Sequence, residues 1–156
     1  MRRIPLTSAA FALLLIMLSG VTIAGAAPQA KREDTNATTL RFDVQFSPFH
    51  LVDVGEPNPS LGDYVVFHDL LFAHGKQVGD DGGTCPIVDL SQGLIHCTGT
   101  IRLAGGQITF QGLTTTAPTK HVAITGGTGR YQDLSGQATL VEFGNGRGSL
   151  TLKLRR

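Results

Sequence analysis

The sequence predicts an all-β protein, an eight-stranded antiparallel barrel preceded by a cleavable leader. Three observations carry that expectation. Apolar residues alternate with polar ones at a period of two over most of the chain beyond residue 40. Turn-forming clusters (Gly-Gly, Thr-Ala-Pro-Thr, Gly-Gly-Thr-Gly, Gly-Asn-Gly) interrupt that alternation at short intervals. No long stretch after the leader shows the 3.6-residue period of an amphipathic helix.

The chain opens on Met1-Arg2-Arg3, a short positive region, followed by an almost unbroken apolar run from Ala9 to Ile23 and the small residues Ala24-Gly25-Ala26. Such a run is too short and wrongly flanked for a stable membrane span, so residues 1–26 read as a secretory signal peptide cut after Ala26, with a retained N-terminal anchor as the competing reading. The expected location is therefore secreted or extracytoplasmic, with no membrane attachment after cleavage. Residues 27–39, APQAKREDTNATT, are small, polar and charged, and read as a flexible tether. Residues 40–156 are the expected folded domain, large enough for one core.

The first strand is LRFDVQF, with Leu40, Phe42, Val44 and Phe46 on one face and Arg41, Asp43 and Gln45 on the other. DYVVFHDLLF (63–72) is denser in apolar residues and reads as a strand covered on both sides. TGTIRLA (98–104), GQITFQG (106–112), HVAIT (121–125), GQATLVEF (136–143) and SLTLKLR (149–155) follow. Only TGRYQDL offers a helical turn. Closing so many short strands into a barrel removes the exposed edges an open sheet would leave.

Cys85 and Cys97 stand 12 residues apart around Asp89-Leu90-Ser91-Gln92-Gly93, a turn between two short apolar runs. In an oxidising compartment two lone cysteines usually pair, and a disulfide across this hairpin stabilises by roughly 3 kcal/mol in the loop-entropy picture. A free reactive thiol at Cys85 is the rival reading.

Composition excludes several function classes. With a formal net charge of +1 and 16% charged residues, the chain has no basic run beyond Lys31-Arg32, so nucleic acid is not an expected partner. His50, His68, His74, His96 and His121 show no metal-ligand spacing, and no metal site is expected. His68 and Asp69 are adjacent on a strand and point to opposite faces, so they form no catalytic couple. No Gly-x-Ser-x-Gly elbow is present. Gly126-Gly127-Thr128-Gly129 lacks the Lys of a phosphate loop, Gln132 occupies the last glycine position of a dinucleotide loop, and a strand resumes almost at once; it reads as a tight corner.

SLGDYVVFHDLL (60–71), a Gly-Gly-x-Cys segment, GQITFQG and AITGGTGRYQDLSGQATL (123–140) together resemble the allene oxide cyclase and dirigent barrel superfamily, from about residue 40 to the C-terminus. The resemblance implies a calycin-like barrel with an apolar lumen open at one end, in which relatives hold a reactive hydrophobic intermediate without metal or organic cofactor. It implies a hydrophobic, unsaturated small molecule (lipid- or polyketide-like) as the partner, and a homodimer or homotrimer. Three activities compete: a cofactor-free cyclase or isomerase, a lipocalin-like binding barrel without chemistry, and a dirigent-like stereochemical guide.

The carried-over residues are few. The cyclases' first-strand carboxylate and amide, two residues apart, correspond to Asp43 and Gln45, which become the catalytic candidates if they face the lumen; plain alternation instead places them on the solvent face. Ser47-Pro48 resembles a Ser-Pro pair lining the cyclase site, and Ser47, Pro48, Phe67 and Tyr131 are the pocket candidates. Cys85 aligns with a pocket cysteine, and pairing with Cys97 would turn that thiol into a staple. At the positions of the dirigent Asp and Arg that follow the glycine corner this chain has Arg130 and Ser135, a departure that speaks against quinone-methide chemistry.

Overall fold

The computed structural model describes residues 37–56 and 59–156. The leader at 1–26 and most of the tether lie outside the described residues, and the first strand begins at Thr38, ahead of the alternation that starts at Leu40.

Nine strands form among the described residues: β1 (Thr38–Gln45), β2 (His50–Val52), β3 (Tyr64–Ala73), β4 (Lys76–Asp89), β5 (Leu94–Leu103), β6 (Gly106–Thr114), β7 (Thr119–Gly127), β8 (Ser135–Glu142) and β9 (Arg147–Arg155). Every pairing is antiparallel. Following the ladder from β1 through β9, β8, β7, β6, β5 and β4 to β3 returns to β1, because β3 also pairs β1, so eight positions close the ring. The short β2 adds no ninth position. It continues β1 along the same edge of β3: β1 covers Leu70, Leu71 and Phe72, and β2 covers Tyr64, Val65 and Val66. Among the described residues there is no α-helix, and the helical turn expected in TGRYQDL is a single 3-10 turn at Gly129–Tyr131.

Period-two alternation decides what the ring encloses. Inward residues pair with inward residues around the barrel: Val44 opposite Leu71, Ile101 opposite Ile108, Ala138 opposite Leu152, Phe42 opposite Leu150. Leu71, Ile101, Ile108 and Leu152 have no solvent exposure and, with Ile124 and Leu154, seal one end. Each such aliphatic side chain stabilises the fold by roughly 1.5–3 kcal/mol through burial. Of the outer residues of β3, Tyr64, Val66, Leu70 and Phe72 are half-buried and His68 is exposed, so this strand is buried on one face only.

β4 is the strand least visible in the sequence. Its Gly-Asp-Asp-Gly-Gly run resembles a loop, yet it pairs without a break from Gly79 to Thr84 on both sides. Glycine is required there by neighbours: a Cβ on inward Gly83 would overlap the Thr98 carbonyl of β5 and lie 3.0 Å from the Phe67 ring of β3; on β5, a Cβ on the paired Gly99 would overlap the Phe110 ring. The glycine corner turns as expected. Gly129 has φ +59°, and the Thr128 and Arg130 N–H groups donate to the carbonyls of Gln107 and Gly105, both at 2.8 Å. Those donors hold the β5–β6 turn and leave no cradle for a phosphate.

Candidate functional site

Towards the other end the barrel interior widens into an open cavity of about 470 Å³. Its walls are largely apolar. Phe46, Phe67 and Phe110 line it, each accommodated by an inward glycine on an adjacent strand: Gly148, Gly83 and Gly99 respectively. The Cys85–Cys97 disulfide joins β4 to β5 inside this wall, so the expected pairing forms and no free thiol remains among the described residues. Beyond it, on the side away from the sealed core, the turn at residues 90–93 is held by Asp89, whose carboxylate accepts from Ser91 Oγ, the Gln92 N–H and Gln92 Nε2.

Three carboxyl groups interrupt the apolar lining, two of them, Asp69 and Asp81, deep against the sealed core and the third, Glu142, elsewhere on the wall. Asp69 on β3 and Asp81 on β4 are register partners, one inward pair above Leu71 and Gly79 at the sealed core. Asp69 is 7% exposed, and its Oδ1 accepts the Ser47 N–H at 3.0 Å. Burial raises its pKa, with the Ser47 hydrogen bond opposing that rise. Asp81 is less supported: its Oδ1 is buried without a hydrogen-bond partner, and a backbone hydrogen bond from Asp69 is the weakest of the influences on its carboxyl. Burial, then the Asp69 and Asp80 charges, push Asp81 up to about 7. Asp80, one residue away, points outward, where Arg102 donates to both its carboxylate oxygens and His68 Nε2 lies 3.3 Å off; the Arg102 hydrogen bond holds its carboxyl below the usual range. Two consecutive aspartates thus sit in opposite electrostatic settings because a strand sends them to opposite faces.

The Ser47–Asp69 bond explains the interruption between β1 and β2. Residues 46–49 bridge the stretch of β3 edge opposite Phe67, His68 and Asp69. Phe46 still donates to the Gly146 carbonyl at 3.0 Å, but Ser47 turns its N–H to the Asp69 side chain, and Pro48 has no N–H to give a ladder. The first wall strand is broken where the lumen carries its acid. Nearer the mouth, Lys120 on β7 donates to Glu142 on β8 at 2.7 Å and to the Ala117 carbonyl at 2.9 Å.

A family model described as the allene oxide cyclase barrel like domain matches residues 36–149. The chain belongs to this family. Among solved structures, this family member is similar to pyocyanin demethylase at 35% identity and TM-score 0.68, over 75% of this chain and 99% of that one. It shares the fold of a pterocarpan synthase dirigent protein (20% identity, TM-score 0.57, 76% of this chain and 82% of that one). It also shares the fold of a Diels-Alderase from Streptomyces koyangensis (16% identity, TM-score 0.65), covering 77% of this chain and 64% of that one. No curated protein matches the chain by sequence.

The barrel distributes the expected site residues unevenly. Ser47 and Phe67 line the cavity. Pro48 is exposed between two lining residues, and Tyr131 packs against the sealed core instead of the lumen. Asp43 and Gln45 are exposed on the outer face of β1, opposite the outward Phe72 and Leu70, because inward Val44 fixes the strand's parity. Their place in the lumen is thereby corrected. Arg130 and Ser135 are exposed beside the glycine corner. The ionisable groups that line the cavity, Asp69, Asp81, Lys120 and Glu142, carry one sequence signal: each shares parity with an apolar inward set (Val65-Phe67-Asp69-Leu71, Asp81-Gly83-Cys85, Lys120-Val122-Ile124, Ala138-Leu140-Glu142).

Proposed function

We propose that this protein is an exported cyclase or isomerase that moves a proton within an apolar, conjugated small molecule held in the barrel lumen, with Asp81 as acid and base and Asp69 as its neighbouring carboxyl. The observation that carries the reading is Asp81 itself. A lumen carboxyl with an unpaired buried oxygen and a pKa of about 7 is populated in both forms at neutral pH, which is what a group that both donates and accepts a proton requires. The aromatic walls add the second ingredient: they restrict a flexible or planar substrate to few poses, which lowers the entropic part of a ring-closing or isomerising barrier. A proton taken from one atom of the substrate and returned to another balances with no co-reactant.

Similarity to pyocyanin demethylase at 35% identity supports a planar conjugated substrate class and makes pyocyanin the first probe. Export is supported by the leader pattern of residues 1–26 and by the disulfide, which suits an oxidising compartment.

The test is turnover of pyocyanin and of an unsaturated fatty-acid epoxide, followed by mass spectrometry, for the wild type and for Asp81→Asn. Loss of kcat by roughly 100-fold or more is the expected result for a general acid–base group. Full turnover by Asp81→Asn overturns the assignment. Ligands that bind and are recovered unaltered from the wild type would make the barrel a binding protein.

A further inference from the structure

The proposed proton transfer leaves the Lys120–Glu142 pair unused. Lys120 is the single Lys, Arg or His among the described residues that line the cavity. Its side chain is 15% exposed, and two of the ammonium's three N–H donors are taken, by Glu142 Oε1 and the Ala117 carbonyl. One donor remains on a cation set in an apolar wall.

Position gives that donor a use. Around the ring, β7 stands four strands from β3 in either direction, through β4, β5 and β6 or through β1, β9 and β8. Lys120 therefore projects from the wall facing Asp69, with the cavity between them. The carboxylate that holds Lys120 is near enough to be felt there, since the Glu142 charge contributes, after burial, to the raised pKa of Asp69. A ligand spanning the lumen meets the Asp69–Asp81 carboxyls at one end and the Lys120–Glu142 ion pair, with its one free ammonium N–H, at the other.

We infer that Lys120 receives an oxygen of the substrate on which negative charge develops, so that the substrate class is a conjugated carbonyl or an ionisable aromatic hydroxyl rather than a plain hydrocarbon chain. This rests on the proton-transfer reading and deepens it. When a C–H proton passes to the carboxylate of the acid pair, the electron pair of that bond moves through the conjugated system to the far oxygen, giving an enolate or phenolate. Lys120 donates its free N–H to that oxygen. Return of the proton from the same carboxyl to a different carbon restores the neutral carbonyl, and the net change is isomerisation. Glu142 holds the ammonium on the wall and sets its height; it is a positioning residue.

A matched pair of fluorescent probes tests this: 2-naphthol, which ionises, and 2-methoxynaphthalene, which has the same rings and cannot. Binding is titrated at a pH above and a pH below the naphthol pKa, for wild type, Lys120→Arg, Lys120→Met and Lys120→Met/Glu142→Gln. The double variant removes the carboxylate that the single variant orphans, so a folding defect is not mistaken for a binding one. The expected result is that both Met variants bind naphtholate roughly tenfold or more weakly than wild type, the magnitude of one hydrogen bond to a charged group. Lys120→Arg should retain most of the affinity, and 2-methoxynaphthalene should bind all four proteins equally. Equal naphtholate affinity in wild type and both Met variants, with the methoxy probe bound, overturns the role of Lys120 and leaves the acid pair standing. Failure of every protein to bind either probe overturns the lumen itself, and the proton-transfer reading with it.

Discussion

Asp69 and Asp81 face each other across the β3–β4 ladder, both directed into the lumen, and they are unequally supported: the Ser47 N–H donates to Asp69, whereas Asp81 Oδ1 has no partner and the Asp69 backbone is only the smallest influence on the Asp81 carboxyl. Two carboxylates at adjacent register positions cannot both ionise cheaply in an apolar wall. The Ser47 N–H decides which of them keeps the charge: it favours ionised Asp69, and the resulting charge helps to keep the proton on Asp81.

That asymmetry predicts an unusual pH dependence of stability. The Asp81 carboxyl has an ordinary pKa of 3.8 in the unfolded chain and about 7 in the folded one. Between those values the folded state holds a proton that the unfolded state has released, so stability falls as pH rises from about 4 to about 7. The loss from Asp81 is on the order of 4 kcal/mol. Asp63, Asp80 and Asp89, whose carboxyls are held low by hydrogen bonds, act with the opposite sign and only below the usual carboxylate range. Urea unfolding at pH 5 and pH 8 should show wild type losing stability at the higher pH and Asp81→Asn losing much less. Parallel behaviour of the two proteins would show that Asp81 is ionised throughout.

The Ser47–Asp69 bond predicts a local effect. Asp69→Ala leaves the Ser47 N–H without its partner in a partly buried break of the wall, at a cost of about 1–3 kcal/mol. Asp69→Asn keeps a side-chain oxygen to accept that N–H and should lose less. Hydrogen exchange locates the change: the Ser47 amide should exchange faster in Asp69→Ala, while amides of β6 and β7 remain as protected as in wild type. Unchanged Ser47 protection would remove Asp69 as the group that fixes the break.

The sequence carried the barrel more completely than its site, for a physical reason. Strands that bury one face against a core announce themselves by alternation, as Phe42, Val44, Leu150, Leu152 and Leu154 do. β4 does not, because its inward positions Gly79, Asp81 and Gly83 carry small or charged groups where a strand normally shows bulk. Its strand character comes from long-range fit, Gly83 lying between the Phe67 ring of β3 and the Thr98 carbonyl of β5, and no local window contains these partners. Asp43 and Gln45 show the complementary case: resemblance pointed them inward, while the parity of Phe42 and Val44 points them out. Asp43→Asn and Gln45→Ala should therefore leave turnover and ligand affinity at wild-type values and shift stability by no more than about 0.5 kcal/mol. A large loss of turnover in either, without loss of fold, would return the first strand's polar face to the site.

The pairing of glycine with phenylalanine across the lumen wall gives the sharpest test of how the cavity is made. A methyl group on Gly99 would occupy the space of the Phe110 ring and approach the Gly82 carbonyl to 2.9 Å. Overpacking of this kind typically costs about 1–3 kcal/mol, and here the obstructing ring cannot retreat outward, because it is an inward residue of β6 paired directly with Gly99. Gly99→Ala should therefore destabilise the barrel by about 2 kcal/mol and, by tilting the ring into the lumen, weaken ligand binding. Phe110→Leu alone should also destabilise, by loss of buried area. In combination the two should cost clearly less than the sum of the single effects, since the shorter side chain vacates the space the new methyl needs. Urea midpoints for the two single variants and the double variant measure that coupling. Strictly additive losses would mean that the Gly82 carbonyl, rather than the Phe110 ring, is what excludes a side chain at position 99.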